Sequence, residues 1–458
     1  MIKAFSKGIE FLKKEGAYKF IVRIVKWIPE YIAWRKLYLQ GWLCEHVDKY
    51  RWKWKYRQLR KSGKVDSFAL FKTVSSGLEY CRKNNQPYEI LNKDEKLEVV
   101  FPECFEERTE IQKKYFDSPP IYLTTFKDVD IYGATNLITK GKIALSDAYA
   151  MNREENRYDI EGGCLASCHK EGKWIGIIYQ STDEIISRAI NCVGGACENY
   201  YHFTFEILSR LAFADQIEEY RLLPVLVDAA ALAVPQMRDL FDRVNVWHHP
   251  VIPVKEYVRI HVKQLVFASQ NVWMPLNYRR GMITKEKDYL FSRTVVDNIR
   301  DRVLRGQQQT KGTYRKIYLS RRNCSNRRLV NDDEIEKIFV DHGYHIVFPE
   351  RLSFDEEVAV FYGADIVVGV TGAAFTNMIF CHEGAKVGMI LHKDDDVYDF
   401  SNIANMIDIE FIMLWGEIAT RQKYVSMDTF VLDADKCRRF IEFIENRARC
   451  AKETAAYE

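Results

Sequence analysis

In NYYHFTFEI, residues 199–207, His202 and Glu206 stand four apart, a spacing that sets both on one face of a helix. A histidine backed by a carboxylate is a general base, and either partner could take a proton from a hydroxyl. From these residues alone a structural histidine at a helix start fits equally well. Further along, YLSRRNCSNRRLVNDDE, residues 318–334, gathers Arg321, Arg322, Arg327 and Arg328 in one short loop. Guanidinium forks grip phosphate oxygens in pairs, which makes the loop a candidate diphosphate clamp. The alternative is a solvated basic loop answering Asp332, Asp333 and Glu334. A third stretch, VVGVTGAAFTNMIF at 367–380, is an apolar run, a turn at Thr371 and Gly372, and a second apolar run. A strand that passes into a helix start presents unsatisfied amides and a positive dipole end, which suit an anion. Gly372 lets a ligand approach the backbone closely.

These stretches need elements to hold them. NYYHFTFEILSRLAFADQIEEYRL has helical periodicity through Phe203, Ile207, Leu208 and Leu211, after a strand in GKWIGIIYQ and before strand and turn in LLPVLVDAAAL. From 66 to 150, short β-branched runs broken by Gly, Asp and Asn read as strands and hairpins. From 314 to 391 the pattern alternates. Strands at 314–320, 344–349, 365–370 and 386–391 are separated by helices at 331–340, from Ser353 to about Gly363, and from Ala373 to Phe380. Asn331 or Asp332 can cap the first helix and Gly343 stop it, and Ser353 with Glu356 spells a capping box. Strands apolar on both faces with short helical connections predict a parallel Rossmann-like sheet, with its ligand at the carboxyl ends of the strands.

Composition narrows the function classes. The chain of 458 residues is about three typical domains long, and 47% hydrophobic with 29% charged residues is ordinary for a folded protein. Residues 1–61 hold 16 Lys/Arg against 5 Asp/Glu, a balance of +11, which leaves 51 against 59, or −8, for the rest. The basic charge belongs to one end, so a nucleic-acid reader is not expected. That end carries KFIVRIVKWIPEYIAWRKLYL and five of the nine Trp residues. It has no run of ~18 apolar residues to span a bilayer. A basic, Trp-rich amphipathic segment suits an anionic membrane surface. The other expectation is a helical hairpin packed on the protein or on a second copy in a homodimer. The eleven cysteines, odd in number and without a signal peptide, fit reduced thiols in a cytoplasm. Cys164, Cys168, His169, Cys192 and Cys197 have loose metal-ligand spacing without a regular knuckle, and no metal site is expected from them. A G-x-G-x-x-G fingerprint and a P-loop are both missing, which argues against a nicotinamide oxidoreductase and an NTPase.

Taken in order, NYYHFTFEILSRL, YLSRRNCSNRRLVNDDEI and PERLSFDEEVAVFYGADIVVGVTGAAFTNMIF resemble the family 61 glycosyltransferases, and YLTTFKDVDIYGATNLITKGKIALSD is similar to that family's strand-rich lead-in. The resemblance covers about 120–395. It implies an α/β protein of GT-B type, two Rossmann-like domains facing across a cleft, preceded by the N-terminal basic amphipathic helical segment. The boundaries expected are 1–65, then 66–300 on the acceptor side and 301–458 on the nucleotide-sugar side, with the last helix packing back on the N-terminal domain.

By motif, the resemblance implies Arg321, Arg327 and Arg328 as nucleotide-phosphate ligands, Thr371, Gly372 and Ala373 as the phosphate turn, and Asn377 as a support on the following helix. Glu206 becomes the first choice of base, with His202 positioning or replacing it, and Asn199 an acceptor-side or structural residue. Two departures stand out. Thr371 holds the place where the family has His, and Glu357 a place where Gln is common; Glu357 accepts from a ribose hydroxyl or faces water. The reaction implied is inverting transfer of a sugar from a nucleotide-sugar to a hydroxyl of a lipid-linked glycan, without metal or other cofactor, at the inner face of a bacterial cell membrane in capsular or lipopolysaccharide synthesis. Asp394, Asp395 and Asp396 read as a solvated loop, not a metal-binding DxD. A transferase-like assembly subunit that binds nucleotide or glycan without turnover is the alternative, motivated by Thr371.

Overall fold

The computed structural model describes residues 53–93, 95–107, 111–148, 165–168, 174–273, 290–305, 314–324, 329–394, 398–421 and 425–455. Two compact units divide the chain, residues 1–62 and 63–458. In the first, residues 53–61 are helical. The amphipathic run expected before them lies outside the described residues.

The second unit holds two main sheets. The first has nine strands: β1 Thr73–Ser75, β2 Tyr88–Ile90, β3 Tyr122–Tyr132, β4 Ile138–Lys140, β5 Ile143–Leu145, β6 Ile185–Cys192, β7 Val225–Asp228, β8 Val251–Val254 and β9 Arg259–Ala268. Their order is β8-β7-β6-β9-β3-β4-β5-β1, with β2 paired to β3. β8, β7, β6 and β9 run parallel. β9 then meets β3 antiparallel, Leu265 opposite Phe126, and the hairpins expected between 66 and 150 extend the sheet. In the parallel part the first strand in sequence, β6, lies between the second and the fourth. Connections on its two sides leave in opposite directions, which opens a crevice at its carboxyl end.

The second sheet contains β10 Lys316–Leu319, β11 His345–Val347, β12 Ile366–Val370, β13 Lys386–His392, β14 Glu410–Thr420 and β15 Thr429–Val431, in the order β11-β10-β12-β13-β14-β15. From β10 to β14 every pairing is parallel, as the alternating pattern predicts. Its switch point falls between β10 and β12, where doubly wound sheets of this order bind ligands. A two-residue strand from far earlier in the chain, Glu103–Cys104, pairs with β14 at Ile412 and Met413.

One apolar core crosses from sheet to sheet. It runs from Ile190 and Val266 through Phe205, Phe291, Phe354 and Phe375 to Val367, Val387 and Met389, all buried. The other face of the second sheet is covered by the helix Ala434–Ala455, whose Phe440 ring leaves no room for a side chain at Gly388 of β13. Among the described residues no helix is long and apolar enough to cross a membrane.

Three local expectations change in detail. The stretch Ala373–Phe380 is a 3-10 helix, opened by the bond from Phe375 N to Gly372 O. Asn331 does not cap the helix Asp332–Asp341 with its side chain. Its amide donates to Leu432 O at 2.8 Å, which ties the helix start to the end of β15 instead. The 200–214 helix is α at Tyr200–His202, π over Phe203–Leu208 and α again at Ser209–Ala214.

Candidate active site

The first constellation stands just beyond the carboxyl end of β6. Asn199 accepts a bond from Tyr201 N at 3.0 Å and so caps the start of the 200–214 helix. One turn on, His202 Nδ1 lies 2.7 Å from Glu206 Oε1, with side chains 12% and 5% exposed. The two therefore form a pair, and they do so across the π turn. Single π turns inside α-helices are frequent at functional sites because they alter which side chains share a face.

Beneath the pair lies a buried polar layer. Arg210 donates to Val193 O at 2.9 Å and to Asn136 Oδ1 at 2.7 Å. Burial pulls its guanidinium below the ordinary value, opposed by the Cys192 thiol and the carboxylates of Glu206, Asp228 and Asp147. Asp228, at the end of β7, accepts from Ala134 N at 2.6 Å and from Gly194 N at 2.8 Å. Burial raises it to about 7 against those two bonds. Asp147 accepts from Gly77 N and Tyr122 Oη, and it too is raised by burial. A small cavity lies among Asn136, Ser146, Asp147, Arg210 and Gln270.

The second constellation sits at the switch point of the second sheet. Leu319 of β10 is in register with Gly369 of β12, so Arg321 and Thr371 follow just past the ends of adjacent strands. A Cβ built on Gly372 would collide with the Arg321 guanidinium, so that side chain rests directly on the turn. Glycine is required there by close approach, since its extended φ of 171° suits any residue. Thr371 is fully buried and donates its N–H to Ile390 O at 2.9 Å, while its hydroxyl has no hydrogen-bond partner among the described residues. The hydroxyl of Thr376 is likewise buried, with no partner among the described residues. The unmet Thr371 donor, one residue from the Gly372 position on which Arg321 rests, fits a group rich in acceptor oxygens.

The other arginines part company. Arg322 pairs with Asp333 at 2.7 Å and with Glu336, so it anchors its own loop to the helix that follows. Arg327 and Arg328 lie outside the described residues. Asp394 pairs with Arg421, and Asp395 and Asp396 lie outside. Cys164 and His169 also lie outside, while Cys192 and Cys197 are buried, with burial raising the Cys192 thiol to about 12. Among the described residues no three His, Cys, Asp or Glu side chains are grouped to hold a metal.

The two constellations meet. Tyr200 Oη donates to Asn377 Oδ1 at 2.7 Å, and Asn377 Nδ2 donates to Glu357 Oε2 at 2.9 Å. Glu357 is 5% exposed, which removes the reading that it faces water. Burial raises its carboxyl to about 8. Ala373 is the first residue of the 3-10 helix that follows the turn and packs against the core. Sequence reasoning passed over Tyr200, Arg210 and Asp228. Tyr200 sits inside the quoted motif, but an aromatic beside a histidine reads as core. Arg210 continues the spacing of four from His202 and Glu206, the one signal that marked it.

Residues 200–388 match the family model described as Glycosyltransferase 61, a span that begins at Tyr200 and ends within β13. No curated protein matches the chain.

Proposed function

The chain carries a family 61 glycosyltransferase domain over residues 200–388, and from that premise we propose an inverting enzyme that moves a sugar from a nucleotide-sugar to a hydroxyl of a glycan acceptor. The observation that carries this reading is the His202–Glu206 pair at 2.7 Å on a helix bonded through Tyr200 to the helix that follows the Thr371 and Gly372 turn. Inversion by single displacement needs one base and one stabilised leaving group. Glu206 takes the proton of the acceptor hydroxyl, and His202 orients it. The departing nucleoside diphosphate gains negative charge, which Arg321, the turn amides and the Thr371 hydroxyl meet. Asn377 and Glu357 link the helix after the turn to Tyr200, and Arg327 and Arg328, outside the described residues, are further phosphate ligands by motif. No step of this displacement calls for a metal or another cofactor.

Two Rossmann-like domains of GT-B type, 66–300 for the acceptor and 301–458 for the donor, would place the base and the leaving group on opposite sides of one cleft. The strand orders of the two sheets support that arrangement. The excess charge of residues 1–61 supports work on a lipid-linked acceptor at an anionic membrane surface, on the cytoplasmic side, in capsular or lipopolysaccharide synthesis.

The test is a thermal-shift panel of nucleotide-sugars, since a ligand of the native state raises its stability with occupancy. The donor it selects is then followed for transfer and slow hydrolysis in wild type and Glu206→Gln. Activity lost by roughly a hundredfold or more in the variant, with donor binding retained, is the expected outcome. Equal activity in both proteins would remove Glu206 from the mechanism. Binding without turnover in wild type would identify an assembly subunit.

A further inference from the structure

The turn that would hold the diphosphate and the helix that would supply the base are joined at two points. The first is polar: Tyr200 Oη to Asn377 Oδ1 at 2.7 Å, then Asn377 Nδ2 to Glu357 Oε2 at 2.9 Å. Tyr200 opens the helix that carries His202 and Glu206, and Asn377 lies five residues beyond Gly372. The second is apolar: the Tyr201 ring meets Phe400 edge-on at 5.6 Å, and Phe400 meets Phe375 at 6.0 Å. Asn377 is 1% exposed and Phe375 fully buried, so neither join is a surface contact. Thr204 Oγ1 also donates to Tyr200 O at 2.6 Å, which stiffens the helix at the same residue. A buried amide held by a donor on one side and an acceptor on the other has one orientation and little freedom.

We infer that Tyr200 is a positioning residue of the transfer reaction, holding the His202–Glu206 pair at a fixed distance from the Thr371 and Gly372 turn through Asn377 and Glu357. The inference rests on the glycosyltransferase reading, and it adds that the spacing of base and leaving group is built into the fold. The apolar join sets the approach of the two helices. The polar join sets rotation of the 200–214 helix about that contact. Loss of the hydroxyl alone would leave donor recognition in place and misplace the base, and a displacement of about 1 Å can cost on the order of a hundredfold in rate.

The test uses the full chain and the nucleotide-sugar selected by the thermal-shift panel. Donor affinity is measured by calorimetry and turnover by donor hydrolysis, for wild type, Tyr200→Phe, Glu357→Leu and Glu357→Gln. Expected are a donor Kd for Tyr200→Phe within about twofold of wild type and a turnover number roughly tenfold or more lower. Glu357→Leu repeats that split from the other end of the chain of bonds. Glu357→Gln, which keeps an acceptor for the Asn377 amide, falls between Glu357→Leu and wild type. A merely structural bond would lower the melting temperature without separating Kd from turnover, and that result overturns the inference. So does a Tyr200→Phe protein that turns over like wild type per folded molecule. If Tyr200→Phe does not fold, Glu357→Leu decides by the same split. A wild-type protein that binds no nucleotide-sugar refutes the glycosyltransferase reading itself, an outcome distinct from a wild type that works and a Tyr200→Phe that works equally well.

Discussion

Glu357 shows how one carboxyl ties chemistry to stability. Its ordinary value is 4.5, and burial raises it to about 8 in the folded protein. Between those values the folded chain binds more protons at this position than the unfolded chain, so stability falls as pH rises through that window and the loss is complete above about 8. Glu357→Gln keeps a carbonyl to accept from Asn377 and removes the titration. Melting curves of the ligand-free variant should match wild type near pH 5 and lie higher by a few degrees or more near pH 9. A variant that melts lower than wild type at both pH values would show that the carboxyl is not held neutral. The sequence marked this residue as a departure from the family pattern and left open that it faces water, which its burial excludes. Its burial depends on Asn377 and on helices that meet only in three dimensions. His202 and Glu206 were legible as a pair because their spacing is local. Tyr200 was not, because its partner lies 177 positions away.

The elements repeat this division between local and distant causes. Ser353 accepts from Glu356 N while Glu356 Oε2 accepts from Ser353 N at 2.8 Å, the capping box that the sequence spells out. Glu357 follows directly in that first turn. Ser353→Ala should therefore cost about 1 kcal/mol of stability, read as a lower denaturation midpoint at unchanged slope. An unchanged midpoint would mean that packing alone holds the turn. The alternation of strands and helices from 314 to 391 was equally legible, since strands buried on both faces carry unbroken apolar runs. The π turn over Phe203–Leu208 and the 3-10 form of Ala373–Phe380 were not. Both are helices whose winding adjusts to what they pack against, and periodicity does not register a change of one residue in hydrogen-bond span.

At the scale of the whole molecule, residues 1–61 hold most of the charge asymmetry and none of the proposed catalytic groups. Deleting them should release the protein from phosphatidylserine vesicles and leave hydrolysis of a soluble donor unchanged, as sedimentation and a donor-hydrolysis assay would report. Undiminished vesicle binding would assign the segment to packing. The larger unit raises a question of order in time. Glu103–Cys104 pairs with β14, and the Phe105 ring sits 5.3 Å from both Phe440 and Phe443. Arg439 bonds to Glu106 and Arg447 to Glu103, across 333 and 344 positions of chain. Contacts so far apart in sequence close late, after a large loss of chain entropy. During synthesis, then, the second sheet waits for its last helix while the segment that completes its edge has been out of the ribosome since early in translation. A C-terminal half made without that early segment would emerge with an open sheet edge and an uncovered aromatic pocket.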